Sequence, residues 1–136
     1  MTQHRYDEAE EAARPIYEVQ SRVLGPDHPE TVYSLQLVGT SLVYRHRYPE
    51  AVRLYQAALK AQGDATGQEG RWRGWYSFAC VASVAGRTDD ALEYLQEAIK
   101  RGYKDADGLM NEDNFKILRQ DSRFQELVAA LRRPHN

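Results

Sequence analysis

The chain has 136 residues, of which 42% are hydrophobic and 28% are charged, and its formal net charge is −2. This proportion of apolar side chains excludes a disordered chain, and the length suits one compact unit. The near-neutral charge gives no sign of a strongly basic surface, so we do not expect nucleic acid as a partner. A single cysteine excludes an internal disulfide framework and fits a reducing compartment.

The hydropathy pattern gives no sign of export or of a membrane segment. Residues 1–11 are polar and acidic and lack the apolar segment of a cleaved secretory signal. Charged residues recur in every helical segment, so none reaches the roughly 18 uncharged apolar residues of a membrane helix. We therefore expect a cytoplasmic protein with no membrane partner.

The spacing of apolar residues predicts an all-α chain. Apolar and small residues recur three and four positions apart, and no segment shows the sustained alternation of a strand. The first helix is predicted at residues 5–24, where Gly25 and Pro26 end it. A second is predicted at 29–45, with a proline suited to its first turn, and a third at 49–61.

The second half of the chain is predicted to hold a linker, two helices and a different tail. Residues 62–70 contain three glycines and no large apolar side chain, which predicts a flexible linker open to proteolysis. Helices are predicted at 71–85 and 89–101. Ser122 and Gln125 have the spacing of a capping box, which predicts that Ser122 caps a helix over 124–131. Short helices of this kind suit the cap of a helical array.

One pattern of large and small residues occurs in both central helix pairs. A large residue is followed three positions later by another and then directly by a small residue, and an alanine comes twelve positions after the small one. The two sets are Leu35, Val38, Gly39 and Ala51, and Trp75, Phe78, Ala79 and Ala91. Because helices approach closely only where small side chains meet, each small residue and its alanine predict a helix crossing.

This pattern resembles the tetratricopeptide repeat, and the resemblance covers residues 5–101. Residues 24–31 are similar to the linker of the longer repeats found in kinesin light chains and many bacterial signalling proteins. Residues 102–131 are similar to the tail that closes many bacterial arrays of this kind. The resemblance implies a right-handed superhelix of antiparallel helix pairs, closed by short C-terminal capping helices.

The phase of the repeat predicts that the two ends of the helical array differ, with an incomplete repeat at the N-terminal end and a cap at the C-terminal end. The marker alanines Ala9, Ala51 and Ala91 are 42 and 40 residues apart, so the chain is not four equal repeats of about 34 residues. Residues 5–9 match the start of a second helix whose first helix is absent. We expect one domain over residues 1–136, with a half repeat at 5–24, repeats at 29–61 and 71–101, and a cap at 103–133.

The half repeat predicts an uncovered face on the first helix. Ala9, Ala13, Ile16 and Val23 form this face and would have only one neighbouring helix. Repeat arrays are stabilised by contacts between neighbouring units and need closed ends. Either the chain is a piece of a longer array, or another subunit covers this face as a self-association surface.

In the tetratricopeptide family, the first helix of each pair lines a concave groove that holds extended peptides or partner helices. The resemblance places nine residues on or near this groove: Tyr33, Gln36, Thr40, Val43, Tyr44, Arg73, Tyr76, Cys80 and Ser83. Tyrosine and arginine suit partner contacts, because one offers a large amphipathic ring and the other a planar fork of donors. The alternative is that Tyr44 and Tyr76 only shield the seam between repeats.

The same resemblance argues against one known class of partner. Family members that read chaperone C-terminal tails hold the carboxylates with cationic groove residues, and the matching positions here are Gln36, Thr40 and Ser77. A carboxylate clamp needs fixed positive charge to offset the desolvation of its ligand. Chaperone tails are therefore disfavoured as partners.

No constellation in the sequence predicts catalysis or metal binding. Cys80 has no histidine within two turns to act as its base, and the spacings of the four histidines match no zinc pattern. Trp72 and Trp75 lie among arginines, but aromatic residues at helical spacing more often pack a core than stack on nucleic acid. We expect no cofactor, no metal and no enzymatic activity.

We therefore expect a non-catalytic module that binds a protein or peptide segment in the concave groove. One alternative is obligate self-association through the open first helix, which would give a homo-oligomer. The other is a regulatory or substrate-positioning domain of a larger enzyme or signalling protein.

Overall fold

The chain folds as an array of helices in the computed structural model, which describes residues 3–62 and 71–133. Within these residues the elements are α1 (Gln3–Val23), α2 (Pro29–Tyr44), α3 (Tyr48–Gln62), α4 (Arg73–Val84), α5 (Thr88–Lys100), α6 (Ala106–Asn111), a 3₁₀ helix (Asp113–Leu118) and α7 (Ser122–Arg132). The prediction of an all-α chain built of helix pairs is confirmed. Most of the predicted linker, residues 63–70, lies outside the described residues.

The repeat is visible in the backbone where the first helix of each pair ends. His46, with φ of 61°, and Gly86, with φ of 78°, are forty residues apart and both lie in the left-handed region. The residue after each donates its backbone N–H to a carbonyl five positions earlier, Arg47 to Leu42 and Arg87 to Ala82. This bond closes the end of a helix whose last carbonyls would otherwise lack partners. The two turns are therefore equivalent although only one contains glycine.

The capping of α7 differs from the prediction. Asp121, and not Ser122, is the N-cap, and its carboxylate accepts the backbone N–H of Arg123 at 2.8 Å. Gln125 donates its side-chain amide to the Arg119 carbonyl at 2.9 Å and does not reach back to a cap. The predicted N-cap is therefore wrong by one residue. The Asp121 carboxylate also pairs with the Arg123 guanidinium at 2.8 Å. These hydrogen bonds lower the pKa of Asp121 to about 2.

Two groups of buried residues form the core, and they meet at α4. One joins α1, α2 and α3 to α4, and the other joins α4 and α5 to the C-terminal helices. Phe78 stands where they meet, with its ring stacked at centroid distances of 4.8 Å from Tyr55 and 3.7 Å from Tyr94. Trp75 packs against both groups. The two halves of the array therefore share one aromatic stack.

Gly39 marks a close approach, as its place in the repeat predicts. A Cβ on this residue would lie 3.0 Å from the Tyr55 ring and 3.1 Å from a Val81 methyl group. The predicted partner was Ala51, which is buried but is not among these nearest groups. The small residue is needed because the ring of α3 and a branched side chain of α4 both press on α2.

Helix α1 is held against the array partly by a network of charges. Glu10 is only 7% exposed and accepts hydrogen bonds from Arg14, 2.9 Å away, from Arg47, 3.3 Å away, and from Arg45. Arg14 also pairs with Glu50 of α3 at 3.1 Å. A buried carboxylate is tolerated only when it is paired in this way. The network therefore fixes the start of α1 against the turn between α2 and α3.

Candidate functional site

Five of the predicted groove residues lie along one side of α2. Tyr33 is 67% exposed and Tyr44 is 45% exposed, while the other three, Gln36, Thr40 and Val43, are half-buried. Leu37 is also exposed on this side and was missed, although its position four residues after Tyr33 places it on the same helical face. These six residues are called the α2 stripe below.

Tyr44 is fixed in place by a neighbouring ring. It stacks on Tyr6 of α1, with the ring centroids 4.4 Å apart and the planes at 15°. Tyr44 therefore does shield the seam between α1 and α2, yet much of its surface stays open to solvent. A ring held by stacking loses little freedom when a partner contacts it.

The C-terminal part of the chain covers the matching face of α4. Cys80 and Ser83 are buried, and the Ser83 hydroxyl donates to the backbone carbonyl of Asn114 at 2.5 Å. The expectation that these two side chains line an open groove is not met, because the segment that includes the 3₁₀ helix packs over them. A partner could touch them only by displacing this segment.

Tyr76 also packs against the C-terminal segment. Its ring stacks on Tyr103 at 4.9 Å and meets the edge of Phe115 at 5.4 Å, and its hydroxyl donates to Glu112 at 3.0 Å. Burial raises the pKa of Tyr76 strongly above its usual value. Arg73, half-buried at the start of α4, lies over the Trp72 ring at 5.1 Å. The predicted groove residues of α4 therefore contact other residues of the same chain.

The Cys80 thiol and the Ser77 hydroxyl of α4 are both held within the core. Burial raises the pKa of the Cys80 thiol well above its usual value, and the Glu112 carboxylate raises it further. A neutral thiol is a poor nucleophile. Ser77 is buried and hydrogen-bonded to the Tyr55 hydroxyl at 2.5 Å. Like Gln36 and Thr40, it offers no charge to a carboxylate ligand.

The predicted self-association face on α1 divides into a buried part and an exposed part. Ala13 is buried in the chain's own core and Ala9 is half-buried, so Ala13 cannot form part of an open face. Ile16 and Val23 are exposed, the latter at 70%. Val19 is exposed between them at helical spacing, a signal that the sequence already contained. Ile16, Val19 and Val23 are called the α1 stripe below.

A cleft of about 450 Å³ lies between α3 and α5. Its lining combines four apolar side chains, Leu59, Trp75, Phe78 and Tyr94, with five polar or charged ones, Gln56, Lys60, Glu93, Glu97 and Arg101. The sequence did not indicate it, because its walls come from three different helices.

Across residues 3–62 and 71–133, no three histidine, cysteine or acidic side chains come together as metal ligands would. No helix there combines the length and the apolar character that a membrane crossing demands.

Two protein families match parts of this chain. The tetratricopeptide repeat model matches residues 1–63, and the model described as A/B hydrolase-like, N-terminal domain matches residues 41–135. Comparison with curated proteins and with solved structures gave no match. The second match spans more than two thirds of the 136 residues. The chain therefore belongs to the A/B hydrolase-like, N-terminal domain family, and residues 1–63 match the tetratricopeptide repeat that the residue pattern predicts over residues 5–101.

Proposed function

We propose that this chain is a non-catalytic interaction domain that binds a partner helix or an extended peptide along the α2 stripe. The observation that carries the proposal is the row of exposed apolar rings and chains, Tyr33, Leu37 and Tyr44, on one side of one helix. Tetratricopeptide repeats mediate contacts between proteins, and α2 lies inside the matched repeat region.

The covered face of α4 narrows the proposed binding surface. Tyr76, Cys80 and Ser83 are engaged by the C-terminal segment, so partner contacts should come mainly from α2. The α2 stripe contains no charged side chain. The partner segment should therefore be apolar or aromatic on its contacting side, and chaperone C-terminal tails remain disfavoured.

The proposal includes the organisation of the whole chain. We take residues 1–136 as one domain, with the half repeat at 5–24, repeats at 29–61 and 71–101, and the cap at 103–133. The shared aromatic stack at Phe78 supports a single unit, since it belongs to both halves of the core. We also propose that the repeats are of the longer kinesin-light-chain-like type and that the C-terminal tail is of the kind that closes bacterial arrays. The proposed setting is the bacterial cytoplasm.

Replacing Tyr33 and Tyr44 together by alanine should reduce partner binding by at least about tenfold. Aromatic anchors of an interface each contribute roughly 2 kcal/mol or more, and about 1.4 kcal/mol corresponds to a factor of ten. The partner is first identified by quantitative capture from extract of the source cells. The purified pair is then titrated, with far-ultraviolet circular dichroism confirming that the variant stays helical.

The control variant removes exposed apolar surface from the cap instead of from α2. Met110 and Ile117 are exposed there, and their double alanine variant should bind the partner as the unchanged protein does. Equal binding by the Tyr33 and Tyr44 variant, or an equal loss in the control, would show that the partner uses another surface.

A second candidate function is favoured by the family match. The description A/B hydrolase-like, N-terminal domain suggests that such helical domains accompany a hydrolase-like part, for which this chain would be a regulatory or substrate-positioning domain. The test is the complete reading frame and, where it encodes a hydrolase-like part, ester hydrolysis by the whole protein with and without residues 1–136. Unchanged kcat and KM on deletion would exclude this role.

Self-association is the third candidate, and the exposed α1 stripe favours it. Replacing Ile16 and Val23 by glutamate should convert a dimer into a monomer, because two charges cannot be buried in an apolar interface without partners. Sedimentation across a wide concentration range measures this. An unchanged protein that stays monomeric at every concentration would exclude the idea.

A further inference from the structure

The α3–α5 cleft has a rigid aromatic floor. Phe78 and Tyr94 are stacked at 3.7 Å, and the Trp75 ring lies 6.3 Å from that of Tyr94. Phe78 is buried, but Trp75 and Tyr94 are only half-buried and border the open space. An ordered and partly exposed aromatic surface can accept an apolar side chain at little entropic cost. The cleft shares no residue with the α2 stripe or the α1 stripe.

Charged residues are distributed unevenly along this floor. Lys60 lies in the last turn of α3, and Arg101 is the C-cap of α5. Glu93 lies eight residues before Arg101, which corresponds to about 12 Å along the helix. The cleft therefore has cations toward the C-terminal ends of its two helices and the Glu93 carboxylate near the middle of α5.

Two of these charges are available to a ligand. Glu97 pairs with Arg101 and, at 3.7 Å, with Lys100, and the Arg101 guanidinium lies over the Trp75 ring at 4.8 Å. Lys60 and Glu93 are exposed, and neither forms an ion pair with another of the residues that the structure describes. The ion pair of Glu97 and Arg101 packs against the aromatic floor. Lys60 on α3 and Glu93 on α5 are instead exposed to solvent on opposite walls of the cleft.

We propose that the α3–α5 cleft binds a short peptide segment that carries an apolar pair between a basic and an acidic residue. The apolar pair lies on Trp75 and Tyr94, the acidic residue meets Lys60, and the basic residue meets Glu93. An extended chain advances about 3.3 Å per residue, so about four residues span the roughly 12 Å that separate Glu93 from the C-terminal end of α5. A volume of about 450 Å³ is within the range of ligand-binding pockets.

The test uses Trp75 itself as the reporter. The chain has two tryptophans, and Trp72→Phe leaves Trp75 as the single one without changing a residue that lines the cleft. The probe is the peptide acetyl-Lys-Leu-Phe-Glu-amide. We expect a saturable change in Trp75 emission, and shifts of backbone amide resonances confined to α3, α4 and α5 in the unchanged protein.

The charges at the two ends of the peptide should determine its affinity for the cleft. Peptides with the same apolar pair but two lysines or two glutamates should bind several-fold more weakly. The double variant Lys60→Gln with Glu93→Gln should lose about three- to tenfold in affinity for the probe, the range expected of two exposed ion pairs. The matched control is Lys116→Gln with Glu126→Gln, which removes one exposed charge of each sign outside the cleft and should bind normally.

Three results would overturn the proposal. Equal binding of all peptides, with no loss in the Lys60 and Glu93 variant, would show a merely apolar patch. A Trp75 emission that changes with protein concentration alone would show that a second copy occupies the cleft. Absence of any change in both the emission and the amide resonances at millimolar peptide would show that the cleft does not bind such segments.

Discussion

Replacing Phe78 by alanine should lower the free energy of unfolding by about 3–5 kcal/mol, the usual cost of removing a buried phenyl ring. Phe78 is 1% exposed and lies between the rings of Tyr55 and Tyr94, stacked almost parallel to both. Its removal leaves a cavity and also breaks two ring contacts that together connect α3, α4 and α5. The loss should therefore fall at the upper end of this range.

Urea unfolding followed by circular dichroism at 222 nm measures the effect. A domain of this size has only about 5–15 kcal/mol of stability, so the midpoint should move far toward lower urea. Leu37→Ala, at an exposed position on α2, is the control and should change the free energy of unfolding by less than about 0.5 kcal/mol.

The same experiment tests whether the two halves of the core unfold together. Because Phe78 is shared, the unchanged protein should show a single transition. Two separate transitions, or a loss below about 1 kcal/mol in the alanine variant, would show that the halves are stable without this stack.

The helix pairs could be predicted because the residues that make their contacts recur at fixed, short separations in the sequence. Phe78 and Ala79 follow Trp75 at repeat positions, and Ala79 and Ala91 are both fully buried, as close helix packing requires. The ends of the helices were predictable for a similar reason. Gly86 and Gly102 adopt the left-handed conformation that their positions after α4 and α5 suggest.

The covering of α4 could not be predicted, because it depends on contacts between distant segments. Ser83 bonds to Asn114, and Tyr76 to Glu112, across more than thirty residues of chain. Residues 103–118 have no strong periodicity from which their packing could be inferred. The resemblance places Tyr76, Cys80 and Ser83 on an open groove, whereas in this chain the C-terminal cap covers them.

The α3–α5 cleft was hidden from sequence reasoning in the same way. The repeat pattern and its helical spacing predict that Trp75 packs in the core, and its ring does contact both core groups. The position of Trp75 in the α3–α5 cleft also involves Arg101, which lies 26 positions later in the chain and whose guanidinium lies over the Trp75 ring. Residues far apart in the chain can be brought together like this only by the tertiary fold.

Raising the pH should unfold the domain above about pH 10. Burial raises the pKa of Tyr48, Tyr55 and Tyr76, and it raises the pKa of Tyr103 to about 12. In the unfolded chain these phenols titrate near 10. The unfolded state then loses its protons first, so the free energy of unfolding falls as pH rises. Their stabilising contribution is complete below about pH 10 and is lost as the pH rises toward 12 and beyond.

The measurement follows two signals through the same titration. Tyrosinate absorbance at 295 nm reports ionisation and circular dichroism at 222 nm reports helix, and we expect the buried tyrosines to ionise in the same cooperative step in which helix is lost. Tyr55→Phe should be less stable at pH 7 by about 1 kcal/mol, because Ser77 loses its partner at 2.5 Å. It should lose stability less steeply with pH, since one buried phenol is gone. Ionisation of all nine tyrosines near pH 10 with intact helices would contradict the coupling between tyrosine burial and folding.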